Sequence, residues 1–465
     1  MGGDGISKNV ANVYNVANVY NVANVANVAN VANVANVANV GCGLGRLVPV
    51  AFWWVVAAGS GALVYIFNLH SNILTKLSRP VWILSLISLF TDTASEMLYP
   101  IMPIYLKTIG FSIVLIGVLE GVAEAVAGLS KGYFGKLSDY RGQRTIFVRL
   151  GYGLSTLSKP MLAVSVLPLW IFFARTVDRL GKGIRTGARD ALLSDEATPA
   201  TKGRVFGFHR SMDTLGAVAG PVLALIYLHY RPGDYRNLFL IAFLPGLLAV
   251  GTSFLLKDKS HKAVSDIPPP PVFSFLHYWK KSPALYRKVV LGLLAFALFN
   301  SSDVFLLLKM KQAGGSDTSV IGVYIFYNLV YALCAYPIGI LADRLGLRKV
   351  FLSGLLLFAG VYFGMAVEGG VLFYAGLFLL YGIYGAATEG ISKAWISNIS
   401  DPRDTATAIG TYTGFQSLAM MLASSLAGVV WYQFGANATF LLTGTMTLLV
   451  IAYFLIAIPR QILAK

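Results

Sequence analysis

Gly135-Lys-Leu-Ser-Asp139-Tyr-Arg141-Gly-Gln-Arg144 and Gly339-Ile-Leu-Ala-Asp343-Arg344-Leu-Gly346-Leu-Arg348-Lys349 are two versions of one loop in this 465-residue chain. Each opens with a glycine, places an aspartate four residues on, and continues into basic residues. Each follows the second apolar stretch of a set of six. A loop that returns at the same place in two halves marks an internal duplication, and in a membrane protein that is a transporter architecture.

The sequence around the loops supports the membrane setting. The chain is 56% hydrophobic and only 12% charged, about half the charged share of a soluble domain, near 25%. Its mean hydropathy is +0.67. This composition excludes an ordinary soluble enzyme, a disordered chain and a secreted disulfide scaffold, and indicates an all-α polytopic membrane protein. Apolar spans are read near 81–106, 113–135, 145–165, 166–189, 204–229 and 237–256, then near 289–308, 319–341, 350–367, 371–397, 405–431 and 438–459. They form two pseudo-symmetric six-helix bundles, 79–256 and 289–465, joined by a linker at 257–288.

The net charge of +16 would suggest nucleic acid on a soluble protein, but here it reports topology. The linker is proline-rich at Pro268–Pro271 and carries Lys257, Lys259, Lys262, Lys280, Lys281, Arg287 and Lys288 against Asp258 and Asp266. The positive-inside rule makes it cytoplasmic, and the two duplicated loops fall on the same side.

Upstream, residues 9–40 repeat Asn-Val-Ala, interrupted by Tyr14 and Tyr20. Region 1–46 is read as low complexity and disordered, a translated nucleotide repeat or a mis-set start codon being the plainer explanation. Region 47–70 is apolar enough for one extra helix. Cys42 and Cys334 are too few for a disulfide framework or a cysteine-based metal site. No pattern G-x-x-x-x-G-K-[ST] occurs, so ATP is not the evident energy source.

The duplicated loop resembles the signature G-x-L-x-D-[RK]-x-G-[RK]-[RK] of the major facilitator superfamily (MFS), and the motifs are most similar to those of bacterial-type twelve-helix permeases and exporters. The second copy is nearly complete. The first has Tyr140 at the usual basic position and shifts Arg141-Gly142. The resemblance covers Arg79–Lys465. It implies that Gly135, Asp139, Arg141 and Arg144, and likewise Gly339, Asp343, Arg344 and Arg348, form loops that lock one conformational state. Arg175-Thr-Val-Asp178-Arg179-Leu-Gly181-Lys182-Gly183-Ile-Arg185 lies where the family places a fourth-helix arginine motif. Gly216, Gly220 and Pro221 resemble the family's antiporter motif, which normally continues with paired glycines where this chain has Ala224 and Leu225.

The charges inside the spans bear on mechanism, because each costs a few kcal/mol at the bilayer centre unless it faces a cavity or a partner. Asp92 and Glu96 are four apart on one helical face, as are Glu120 and Glu124. The third span has Arg149 and Lys159, the fourth Arg175, Asp178, Arg179, Lys182 and Arg185, the fifth His209, Arg210 and Asp213. At ~1.5 Å per residue, Glu96, Glu120 and Arg175 lie at similar distances from the cytoplasmic ends of their spans, close enough in depth to pair. The expectation is a polar core confined to the first half, in which Asp92, Glu96, Glu120 and Glu124 include the proton-titrating group. A carboxylate in low dielectric holds a proton and an arginine neighbour releases it. The plainer alternative is a static ion-pair network that orients helices.

The second half offers aromatics instead, with Tyr324, Tyr327 and Tyr331 at helical spacing and few charges beyond Asp303, Glu389 and Lys393. A cavity with one charged and one aromatic wall suits an amphipathic molecule. The reading is therefore a monomeric, multi-pass carrier in the plasma or inner membrane, not an enzyme, without cofactor, metal site or nucleic-acid partner. Its partners are a small-molecule substrate, a coupling ion (protons) and the lipid bilayer, and it exports an amphipathic organic compound. The alternatives are a carrier for a metal ion, metal chelate or other nutrient, and a non-transporting sensor or scaffold on the same fold.

Overall fold

The computed structural model describes residues 77–258, 271–315 and 317–458 of the chain. The expectations for 1–46 and 47–70 fall outside the described residues, as do residues 259–270 of the linker. The elements in chain order are α1 (Arg79–Glu96), α2 (Met102–Thr108), α3 (Ile113–Arg141), α4 (Arg144–Val164), α5 (Pro168–Asp195), α6 (Lys202–Tyr230) and α7 (Tyr235–Ser253). After a 3-10 turn (Val272–His277) come α8 (Tyr278–Lys281), α9 (Ala284–Ala297), α10 (Val304–Gln312), α11 (Asp317–Leu345), α12 (Leu347–Met365) and α13 (Val371–Ile399). A second 3-10 turn (Pro402–Asp404) leads into α14 (Thr405–Ala457). Among the described residues no strand occurs, as hydrocarbon requires of a chain whose backbone groups must be satisfied within each segment.

Among the described residues, six stretches are long and apolar enough to cross a bilayer on length and composition alone: 202–230, 235–253, 319–345, 347–365, 371–399 and 402–457. The remaining segments are broken, carry several charges, or do both. Leu150, Leu157, Leu244, Leu356 and Leu449 are exposed, a surface that suits hydrocarbon rather than water.

Three crossings depart from straight helices, each for a local reason. The first was read as continuous over 81–106, but α1 stops at Glu96 and α2 restarts at Met102 with proline in its first turn. Pro100 lacks an N–H, and its ring opposes the carbonyl four residues back, that of Glu96. The seventh was read as 289–308. It instead begins at Ala284, inside the expected linker, and breaks between Ala297 and Val304. The break is Leu298-Phe-Asn-Ser-Ser-Asp303, whose short polar side chains offer the backbone other partners. Ser302 N donates to Ser424 Oγ at 3.1 Å, and Val304 N donates to Ser302 Oγ at 3.4 Å. In α14, Gly435 has φ of 86°, a left-handed conformation that glycine adopts without strain. It turns one long helical run into two crossings.

The packing repeats between the halves. α1 lies on α6 as α9 lies on α14; α3 lies on α5 as α11 lies on α13; α4 lies on α5 and α7 as α12 lies on α13 and α14. The halves meet chiefly through α3 with α14 and α6 with α11, with α13 also against α6 and α14 also against α5. Arg149 Nη2 donates to Leu256 O at 2.8 Å at the end of the sixth crossing, and Arg348 Nη2 donates to Phe454 O at 2.9 Å at the end of the twelfth. Cations at helix C-termini are favoured by the free carbonyls and the dipole there.

Candidate functional site

The two duplicated loops lie at one end of the molecule, the basic end, and each reaches into the opposite half. Asp139, at the end of α3, accepts hydrogen bonds from Thr407 N at 2.7 Å, Thr407 Oγ1 at 2.8 Å and Ala406 N at 3.3 Å. It therefore caps the first turn of α14, a helix of the other half. Asp343, at the end of α11, accepts from Gly203 N at 2.7 Å, Arg204 N at 3.0 Å and Arg204 Nε at 3.1 Å, capping α6 in the same way. Arg144 pairs with Asp139 at 3.1 Å and with Asp195. Gly135 and Gly339 let the backbones meet: a Cβ on Gly135 would strike Ala406 O, and one on Gly339 would strike Gly203 O. Arg141 and Arg344 are exposed. Arg348 is buried on the last carbonyls of α14. The basic end is thus closed by two matched contacts.

Beyond that closure lies a cavity of about 590 Å³. Glu120, Glu124, Arg210, Asp303 and Glu389 line it together with Tyr324, Tyr327, Tyr331, Tyr381 and Tyr384. A second space of about 380 Å³ continues toward the closed end, bounded by Asp92, Glu96, Lys131, Lys182, Arg189, Asp213 and Lys393. Both halves therefore contribute walls.

The charges of the first half sort into two groups. In one, Arg175 donates to Glu120 through Nε at 3.1 Å and through Nη2, and Arg179 stands 3.7 Å from the same carboxylate. Asp178 takes Lys159 at 2.7 Å and lies 3.9 Å from Arg175. Lys159 is thus a structural partner that did not figure among the expected site residues. Arg185 donates to Ser155 Oγ at 2.6 Å and lies 4.6 Å from the ring centroid of Tyr152. Lys182 makes no ion pair within 4 Å among the described residues, yet its ammonium field acts on Asp92, Glu96 and Glu124 together.

In the other group, Asp92 and Asp213 bound the same space. Asp213 accepts from Ser88 Oγ at 2.5 Å and from Arg210 Nη1 at 2.7 Å. Arg210 in turn donates to Tyr331 Oη at 2.5 Å and stands 3.8 Å from Glu389. His209 is buried, with no hydrogen-bond partner for Nε2 among the described residues.

These contacts correct the expectation of a polar core confined to the first half. Arg210 joins Asp213 of its own half to Glu389 and Tyr331 of the other. Lys393 pairs with Asp190 at 2.9 Å, where Arg189 also sits at 2.9 Å. Lys131 Nζ donates to Ser417 Oγ of the other half at 2.6 Å, beside Glu124 on the same cavity wall. The composition of the second half concealed this, because its few charges sit where the halves meet.

The aromatic side chains do not act alone either. Asp303 accepts hydrogen bonds from Tyr327 and, at 2.6 Å, from Tyr381. Asp303 was absent from the expected site; the run Asn300-Ser-Ser-Asp303 inside an apolar span was the signal that could have found it. Gly216 and Gly220 face α1, where a Cβ would come within 2.5 Å of Leu89 O and 2.7 Å of Thr93 O respectively. With buried Pro221 they set a close helix crossing. No group of three or more His, Cys, Asp or Glu that could hold a metal ion occurs among the described residues.

A sequence profile described as Major Facilitator Superfamily matches residues 84–326 and 293–462. An uncharacterized MFS-type transporter of Methanocaldococcus jannaschii is 32% identical over 372 residues, covering 79% of this chain and 92% of the relative. The multidrug resistance protein MdtG of a Rahnella species is 26% identical over 205 residues, 42% of this chain and 49% of that protein. Among solved structures, the human organic anion transporter MFSD10 gives a TM-score of 0.69 at 16% identity, over 81% of this chain and 98% of its own. The Escherichia coli fucose:proton symporter FucP gives 0.64 at 12% identity, over 80% and 97%. At these identities the structural likeness is one of fold.

Proposed function

The chain belongs to the Major Facilitator Superfamily, a family of integral membrane transporters, and from that premise we propose that it exports amphipathic organic compounds in exchange for protons. The observation that carries the reading is the cavity built by both halves and sealed at the basic end by Asp139 and Asp343. That is one state of an alternating-access cycle. The basic end is taken as cytoplasmic, in the plasma or inner membrane, so this state faces outward.

Arg210 supports the coupling step. It divides its donors between Asp213, which bounds the same space as Asp92, and Tyr331 of the opposite half. When the halves rock, the distance from Arg210 to Glu389 and Tyr331 must change. More of the guanidinium charge on Asp213 favours the ionised pair and proton release; less favours proton uptake. The Glu120–Arg175–Arg179 cluster lies within one half and is free to keep its geometry through the motion. The name of the MdtG relative supports export of organic compounds, and the proton symport named for the FucP neighbour supports a proton as the coupling ion.

The test is a substrate panel in a strain lacking its own exporters. Expression of the chain lowers accumulation of amphipathic compounds, and a protonophore abolishes the difference. Unchanged accumulation across the panel, with the protein present in the membrane, contradicts the reading.

A further inference from the structure

Asp303 stands apart from the other acids of the cavity. It occupies the break between α9 and α10, where its two oxygens are taken by the hydroxyls of Tyr327 and Tyr381. Glu120 has Arg175, Asp213 has Arg210, and Glu96 and Glu124 share the field of Lys182. Asp303 forms no ion pair with a basic side chain among the described residues, and the leading charged group acting on it is Glu389, of the same sign. A carboxylate lining a cavity at membrane depth is costly without an opposite charge.

The surroundings suit a cation. Four tyrosine rings run as one cluster beside the carboxylate: Tyr324 to Tyr327 at 5.4 Å, Tyr327 to Tyr381 at 5.5 Å and Tyr381 to Tyr384 at 5.2 Å between centroids. Ring faces attract an ammonium group, most strongly where water is excluded. The two hydroxyl donors hold the carboxylate in place before any ligand arrives, which lowers the ordering cost of binding. Met420 and Met421 line the same cavity and give an adaptable apolar surface.

We propose that Asp303 and its tyrosines bind the ammonium group of an amphipathic organic cation, with the apolar body of the ligand against Met420 and Met421. The inference rests on the exporter reading and narrows its substrates to cations. It assigns recognition to the second half, whereas proton exchange is placed on the first half and its contact with Glu389.

The experiment is calorimetric titration of the purified full-length protein with three probes of one shape. They are 4-phenylbutyltrimethylammonium, its uncharged isostere with carbon in place of nitrogen, and 5-phenylpentanoate. Wild type binds the cation best. Asp303→Asn weakens the cation by roughly tenfold or more, on the scale of a lost contact to a charged group, and leaves the isostere unchanged, which also shows that the variant is folded. Asp303→Glu keeps part of the affinity. Unchanged cation binding in Asp303→Asn overturns the inference. Binding of the isostere or the anion to wild type as tightly as the cation also overturns it, while the exporter reading stands. No binding of any probe, together with no effect on accumulation in cells, overturns both.

Discussion

Removing Asp139 removes a cap supplied by one half of the molecule to the other. In Asp139→Ala the N–H groups of Ala406 and Thr407 and the hydroxyl of Thr407 lose their acceptor in the closed state. In a state open at the basic end, water serves them. The change therefore acts on the equilibrium between states. A helix cap is worth about 0.5–2 kcal/mol and hydrogen bonds to a charged group about 1.5–3 kcal/mol. Arg144 keeps Asp195, which limits the loss, so about 2 kcal/mol is a fair figure. That is a shift of roughly 30-fold, enough to bring a 99:1 preference for the closed basic end to about 3:1. Asp343→Ala removes the matched contact, and the double variant shifts the equilibrium by roughly 10³-fold if the two add. Spin labels at Gln143→Cys and Arg403→Cys, both exposed, in a Cys42→Ser/Cys334→Ser background report the separation by double electron–electron resonance. A longer-distance population appears in each single variant and dominates in the double. Identical distance distributions in wild type and both single variants would refute a locking role for these aspartates.

Other outcomes follow from the same contacts. Gly339→Leu drives a side chain into Gly203 O, so the basic end cannot close, and the same labels read the long distance without any substrate. Arg175→Ala leaves the part-exposed Glu120 with Arg179 alone; thermal melting of the detergent-purified protein drops by an amount on the scale of a lost hydrogen bond to a charged group, about 2 kcal/mol, and Glu120→Gln/Arg175→Ala recovers part of the loss. Glu96→Gln and Glu120→Gln reduce gradient-driven transport in proteoliposomes; full retention in both excludes these two carboxylates from coupling. Asp234 caps α7, and the donors on Asn237 and Tyr227 hold its carboxyl below the usual carboxylate range. Its contribution is then present above about pH 4 and lost as pH falls further, so Asp234→Ala flattens the acid side of a melting-temperature profile.

Much of this architecture was legible in the residues. The duplicated loops located the basic end. The depth estimate that set Glu120 beside Arg175 works because helix rise is nearly constant, so position along a span converts to depth. What could not be read is rotation about each helix axis and approach between halves. Nothing in the spacing says that Asp190 meets Lys393, that Arg210 reaches both Asp213 and Tyr331, or that Lys131 finds Ser417. Such pairs join residues far apart in sequence, and their register is set by the glycines that bring α3 against α14 and α6 against α11. The break in the seventh crossing was missed for another reason. Its apolar composition outweighed four short polar residues, and those residues place Asp303.

The most direct test is transport by purified protein in liposomes with an imposed pH gradient and 4-phenylbutyltrimethylammonium as the solute. Exchange against protons predicts accumulation of the cation on the side from which protons leave. It also predicts collapse of that accumulation when a protonophore is added, and its loss in Asp213→Asn. Equal flux with and without the gradient, or gradient-driven accumulation that survives Asp213→Asn, contradicts the proposed coupling.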